Sequence, residues 1–159
     1  MKKYRVGIIG CGRIGSLLEE DPLRGKTCTH AGGFNTLPNA RIVAGCDIDL
    51  PRLKRFGKQW DVGNLYSDYR EMLHEEGLDI VCIATWTHLH SPMVLYSVKA
   101  GVKGIFCEKP IATNMKNARE MVRNCERKKI PLVINHERRW DSYYRKAADI
   151  IRSGKIGEI

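Results

Sequence analysis

The chain has 159 residues, 43% of them hydrophobic and 28% charged, with a formal net charge of +9. That length suits a single core of ordinary globular composition, and no apolar run reaches the ~20 residues of a membrane-spanning helix. The last third carries 12 Lys and Arg against 6 Asp and Glu from Ile111 onward, an excess that can serve nucleic acid, acidic ligands or plain solvation. Lys116, Arg119, Arg123 and Arg127 recur mostly at helical spacing without aromatic interleaving. A solvated helix face is therefore expected, and nucleic acid is not expected as a partner.

The first strand, Tyr4 to Ile9, runs into Gly10-Cys11-Gly12-Arg13-Ile14-Gly15, which fits G-x-G-x-x-G. In that spacing the first glycine permits a tight turn, the second lets a pyrophosphate approach the backbone, and the third allows close helix–strand packing. Free N–H groups at a helix start favour the phosphate charge. A helix from Arg13 to Glu20 is expected next, stopped by Asp21-Pro22 and followed by a loop from Leu23 to Cys28. Helical character resumes near Thr29 and runs to Leu37. The second strand, Arg41 to Cys46, ends in Asp47, the position from which a carboxylate takes the adenosine ribose hydroxyls. Asp47 lies 37 residues beyond Gly10 rather than the usual ~20, and the inserted loop accounts for most of the excess. A carboxylate there repels a 2′-phosphate, which favours NAD, with NADP as the alternative. Asp49 is the rival for that role but is expected instead to cap a helix from Leu50 to Trp60, with Pro51 in its first turn.

A short strand over Asn64 to Tyr66 precedes a helix from Asp68 to about Glu76. Leu78 to Ala84 is a near-continuous apolar run, as in a parallel sheet covered on both faces. A helix from His90 to Ala100, a strand from Val102 to Cys107, a helix from Asn114 to Lys129 begun at Thr113, a strand from Pro131 to Asn135 and a helix from Asp141 to Ser153 complete the pattern. Alternation throughout predicts one doubly wound α/β domain over 1–159, with a mainly parallel sheet and helices on both faces. Polar residues bunch after the strands rather than before them, in Thr85 to His90, Glu108-Lys109-Pro110 and Asn135 to Trp140. Ligands collect at those strand ends in such folds.

Six cysteines show no zinc-like spacing. Cys46, Cys82 and Cys107 fall within apolar strands, where cysteine acts as a small hydrophobe, and a redox role for Cys11 is not expected. No His, Cys, Asp or Glu grouping has metal-ligand spacing, so no metal is expected. Met1-Lys2-Lys3 leads straight into a strand, so a targeting segment is not expected and the cytoplasm is the expected compartment.

The ordered set Gly7 to Gly15, Ala84-Thr85 with His90, Gly101 through Glu108-Lys109-Pro110, and Arg139-Trp140 resembles the N-terminal domain of the Gfo/Idh/MocA oxidoreductases. The resemblance spans nearly the whole chain. It implies an NAD(P)-dependent dehydrogenase moving hydride between nicotinamide and a sugar, polyol or related hydroxyl compound. Lys109 would be the catalytic group beside nicotinamide and substrate. Gly10, Gly12, Arg13, Ile14, Gly15, Asp47, Ala84, Thr85, Trp86, His90, Glu108 and Arg139 would form the cofactor site. Where the family commonly has proline after the threonine, this chain has Trp86. The family also implies a second domain beyond Ile159 that carries most substrate contacts, the proton-transferring histidine and the usual homo-oligomer contacts, so this portion alone is expected to turn over little.

Bland readings stand beside these. Lys109 could be a solvated loop lysine, His90 a helix-starting residue, and Arg139 half of a surface ion pair. The alternative for the whole is a non-catalytic NAD(P)-sensing regulatory protein on the same fold.

Overall fold

The computed structural model describes residues 3–158. Its strands are β1 (Tyr4–Ile9), β2 (Ala40–Cys46), β3 (Asn64–Tyr66), β4 (Ile80–Ile83), β5 (Gly104–Cys107) and β6 (Leu132–Ile134). They form one sheet in the order β3-β2-β1-β4-β5-β6, and every pairing is parallel. The helices are α1 (His30–Thr36), α2 (Leu50–Trp60), α3 (Tyr69–Glu75), α4 (Thr87–Ala100), α5 (Met115–Lys128) and α6 (Ser142–Arg152).

Because the strand order reverses between β1 and β4, right-handed crossovers send helices to both faces. Two apolar clusters follow from this. Ala31, Leu53 and Phe56 from α1 and α2 pack with Val6, Ile8 and Ile42 on one face. Met72, Met93, Val94, Val98 and Met121 from α3, α4 and α5 pack with Ile9, Val81 and Ile105 on the other. The reversal also opens a crevice beyond the carboxyl ends of β1 and β4, where doubly wound folds bind ligands.

Local chemistry sets most boundaries. Asp49 caps α2 by accepting from the Arg52 N–H, with Pro51 in the first turn. Asp68 and Asp141 cap α3 and α6 in the same way. Asn114, not Thr113, caps α5, accepting from the Asn117 N–H at 2.9 Å. Gly101 (φ 80°) closes α4 in the left-handed region. All six cysteines carry free thiols, and five of them are buried.

Two further expectations are corrected. The helix expected over Arg13 to Glu20 is a series of turns ending in a single 3₁₀ turn, Leu17–Glu20. The Gly12 carbonyl accepts from both Ser16 and Leu17, so the turn opens too wide to propagate an α-helix. Glu19 is then drawn away to accept from the N–H groups of Cys28 and Thr29 and from the Thr29 hydroxyl. The helix expected from His90 starts instead at Thr87, so His90 lies inside α4.

Candidate functional site

The glycine turn sits at the crevice, and its three glycines have three distinct surroundings. Gly10 has φ 92°, and a Cβ there would lie 2.5 Å from the Ala84 carbonyl oxygen. A Cβ on Gly15 would fall onto the Gly10 carbonyl oxygen, so turn and following segment touch backbone to backbone. A Cβ on Gly12 would meet nothing within 4 Å. The space over Gly12 is open, as a ligand approaching the backbone requires. Among the described residues, the amides of Gly12, Arg13, Ile14 and Gly15 have no protein acceptor. Four donors left free at one turn make a ready anion cradle, even though no long helix follows.

Asp47 stands beside this cradle at the end of β2, 7% exposed. Its Oδ2 accepts from the Cys11 N–H and its Oδ1 from the Asp49 N–H, each at 2.9 Å. The Arg52 guanidinium approaches both oxygens at 3.2 and 3.3 Å. The carboxylate is thus fixed by the turn it adjoins and by a cation that spacing alone did not single out.

The end of β4 forms the next wall. Ala84 packs over Gly10 and Gly15, and the Thr85 methyl would contact a Cβ on Gly10. Trp86 stands at the N-cap of α4 with 79% of its surface exposed. His90 differs from the expected cofactor contact, because it has no accessible surface. Its Nδ1 lies 2.9 Å from the Pro110 carbonyl oxygen and its Nε2 3.2 Å from that of Thr85. It therefore ties the end of β4 to the turn after β5 and shapes the site from beneath.

Beyond β5, Glu108 is 5% exposed, whereas Lys109 is exposed and joined to Pro110 by a cis peptide. Glu108 Oε1 accepts from Asn135 Nδ2 at 2.7 Å and lies 2.8 Å from His30 Nε2; Oε2 accepts from the Lys109 N–H at 3.1 Å. Burial opposes charge on Glu108, but the hydrogen bonds from His30 and Asn135 outweigh it and hold its pKa down at about 2. Burial likewise opposes charge on His30, yet its contacts with Cys82 and Glu108 raise its pKa well above the ordinary value. Among the described residues no acidic side chain pairs with the Lys109 ammonium.

Lys109, Glu108, Ile14, His30, Asn135 and Trp140 line one open cleft of about 1050 Å³. The inserted loop reaches it through Arg24, Thr27 and Cys28. Arg139 does not line it, although Arg138 and Trp140 on either side do. His30 and the role of Asn135 were absent from the sequence-based site. The one local sign was the Thr29 cap that places His30 at the head of α1.

The sequence and fold are matched by known proteins. A family profile described as "Oxidoreductase family, NAD-binding Rossmann fold" matches residues 4–136. The chain belongs to the Gfo/Idh/MocA oxidoreductase family. A D-apiose dehydrogenase from Paraburkholderia graminis is 34% identical over 157 residues, covering 99% of this chain and 38% of its own length. The crystal structure of a myo-inositol 2-dehydrogenase from Lactobacillus plantarum superposes with a TM-score of 0.85 at 30% identity, covering 99% of this chain and 43% of that one. An oxidoreductase from Agrobacterium radiobacter, solved with NAD+, L-tartaric acid and magnesium, matches at 30% identity with a TM-score of 0.82, over 99% of this chain and 42% of that one. The chain spans about two-fifths of the length of the curated relatives it matches. Among the described residues no helix is long and apolar enough to cross a membrane.

Proposed function

We propose that this chain is the cofactor-holding part of an NAD-dependent dehydrogenase acting on a sugar, polyol or similar small hydroxyl compound. The observation that carries the reading is the set of four unpartnered amides around the open face of Gly12, with Asp47 bonded to the same turn and Ile14 of that turn lining the cleft that also holds Lys109. The residues present fit a dinucleotide. The amides of Gly12 to Gly15 would hold the pyrophosphate, and Asp47 would accept from the ribose hydroxyls. Ala84, Thr85 and Trp86 would border the nicotinamide end, and Arg13 and Ile14 would flank the phosphates. The nicotinamide, when bound, supplies the hydride acceptor or donor. The Lys109 ammonium would donate a hydrogen bond to the oxygen of the reacting hydroxyl and stabilise the negative charge that develops there. Glu108, which lines the same cleft, would also hold the Lys109 backbone amide.

Similarity to inositol and apiose dehydrogenases supports the substrate class. Six free thiols favour a reducing compartment such as the cytoplasm. Calorimetric titration of the chain with NAD and with NADP tests the reading. NAD is expected to bind more tightly, because Asp47 repels a 2′-phosphate; no binding of either at millimolar concentration overturns it.

A further inference from the structure

His30 opens α1 and is 8% exposed, yet it lies 2.8 Å from a carboxylate 78 positions away in sequence. That carboxylate, Glu108, is shared. Asn135 at the end of β6 donates to the same oxygen, and the other oxygen accepts the backbone N–H of Lys109. The ring of Phe106 stands edge-on to His30 at 5.2 Å between centroids. The groups facing His30 are Glu108 from the end of β5 and Cys82 from β4. Across the cleft stand Lys109, Arg24, Glu137, Arg138 and Asp141. Among the described residues, Glu108 is the one carboxylate within hydrogen-bonding reach of the ring. One side chain therefore links α1 to the turn that carries Lys109, and a second link runs to β6.

We infer that His30 is a positioning residue for Lys109: its ring holds the Glu108 carboxylate in the one orientation that grips the Lys109 backbone amide, and so sets the direction in which the Lys109 side chain leaves the turn. The inference rests on the proposed role of Lys109 at the reacting hydroxyl. The surroundings of His30 shift its pKa upward and that of Glu108 downward, which favours the charged form of this contact. A buried carboxylate with one partner removed reorients or takes up a proton, and the amide of Lys109 would lose its fixed acceptor.

Two measurements on the 159-residue chain test this without any nucleotide, so their outcome is separable from that of the cofactor reading. In histidine-¹⁵N-labelled protein, the His30 ring is expected to keep imidazolium shifts through pH 8. In Glu108→Gln the titration is expected to move downward, toward or below the ordinary value of about 6.5, because burial then acts without the carboxylate. Titration of His30 near that value in the unmodified chain overturns the ion pair. The second measurement is the rate at which trinitrobenzenesulfonate modifies Lys109, read by peptide mass spectrometry against Lys58 on α2 in the same sample. His30→Gln is expected to change the Lys109-to-Lys58 ratio by about threefold or more, a coupling typical of directly linked groups. An unchanged ratio in folded His30→Gln overturns the positioning role. Glu108→Gln breaks the same link and supplies the same readout should His30→Gln fail to fold.

Discussion

Asp47 does two things at once. Its oxygens already accept from Cys11 and Asp49 and face Arg52, and a ribose would add further donors to the same carboxylate. An ionised acceptor has lone pairs for this, and the existing contacts fix its direction before a ligand arrives. Asp47→Asn keeps the shape but removes the charge. Its affinity for NAD is expected to fall about tenfold, the worth of one hydrogen bond to a charged group, and its discrimination against NADP to shrink. Titration with both nucleotides checks this, and an unchanged preference for NAD would show that Asp47 does not set it.

Glu108 carries a pH signature. Its folded-state pKa is lowered from 4.5 to about 2, so its stabilisation is fully present above pH 4.5 and lost as pH falls toward 2. For His30 the shift is upward, so its share is fully present below its ordinary pKa and lost as pH rises beyond it. The unmodified chain should therefore lose melting temperature between pH 4.5 and pH 2 more steeply than Glu108→Gln. At neutral pH that variant should be less stable by about 3 kcal/mol, the cost of leaving a buried partner uncompensated. Calorimetric melts across that range measure both. None of this was legible in the sequence, because no local pattern joins residues 78 positions apart.

At the level of elements, the glycine turn separates folding from binding. Gly15→Ala would drive a methyl into the Gly10 carbonyl, and forced shifts of packed backbone cost about 1–3 kcal/mol. Gly12→Ala meets no protein atom and should fold as the unmodified chain does, yet its methyl would occupy the space proposed for pyrophosphate. Melting curves beside NAD titrations check the pair: Gly15→Ala loses stability, Gly12→Ala loses affinity alone. If Gly12→Ala binds NAD unchanged, the phosphate lies elsewhere. The elements best anticipated from sequence carry their own caps, as α2 does with Asp49 and Pro51. Those misjudged lack such a signal. Trp86 offers no capping side chain at the start of α4, so nothing local announced Thr87. The segment after Gly15 is pulled out of helix by the bonds of Glu19 to Cys28 and Thr29 across the inserted loop. The doubly wound α/β class and its parallel sheet were legible from alternation and apolar runs; the strand order came from the structure. The interior ties of His90 and His30 were not, because they depend on which strand ends come together.

Across the whole molecule, apolar surface is distributed unevenly. Most of the core is enclosed between the sheet and α1 to α5, but α6 buries none of its residues. Tyr143, Tyr144, Ile150 and Ile151 on α6 are exposed, as are Trp140 just before it, Ile156 just after it and Val133 on β6. On α6 these apolar side chains, with Ala147, recur at three- and four-residue intervals, the signature of a helix built to lie against something. Apolar patches of this kind drive association when uncovered. The 159-residue chain is therefore expected to self-associate as its concentration rises, and the paired change Tyr143→Ser with Ile151→Glu is expected to return it to a monomer. Sedimentation velocity over a hundredfold concentration range distinguishes the two. Because α6 lies outside the glycine turn and the Asp47 contacts, the same variant should bind NAD with unchanged affinity; a loss of both association and binding would mean that α6 supports the cofactor crevice as well as the uncovered face.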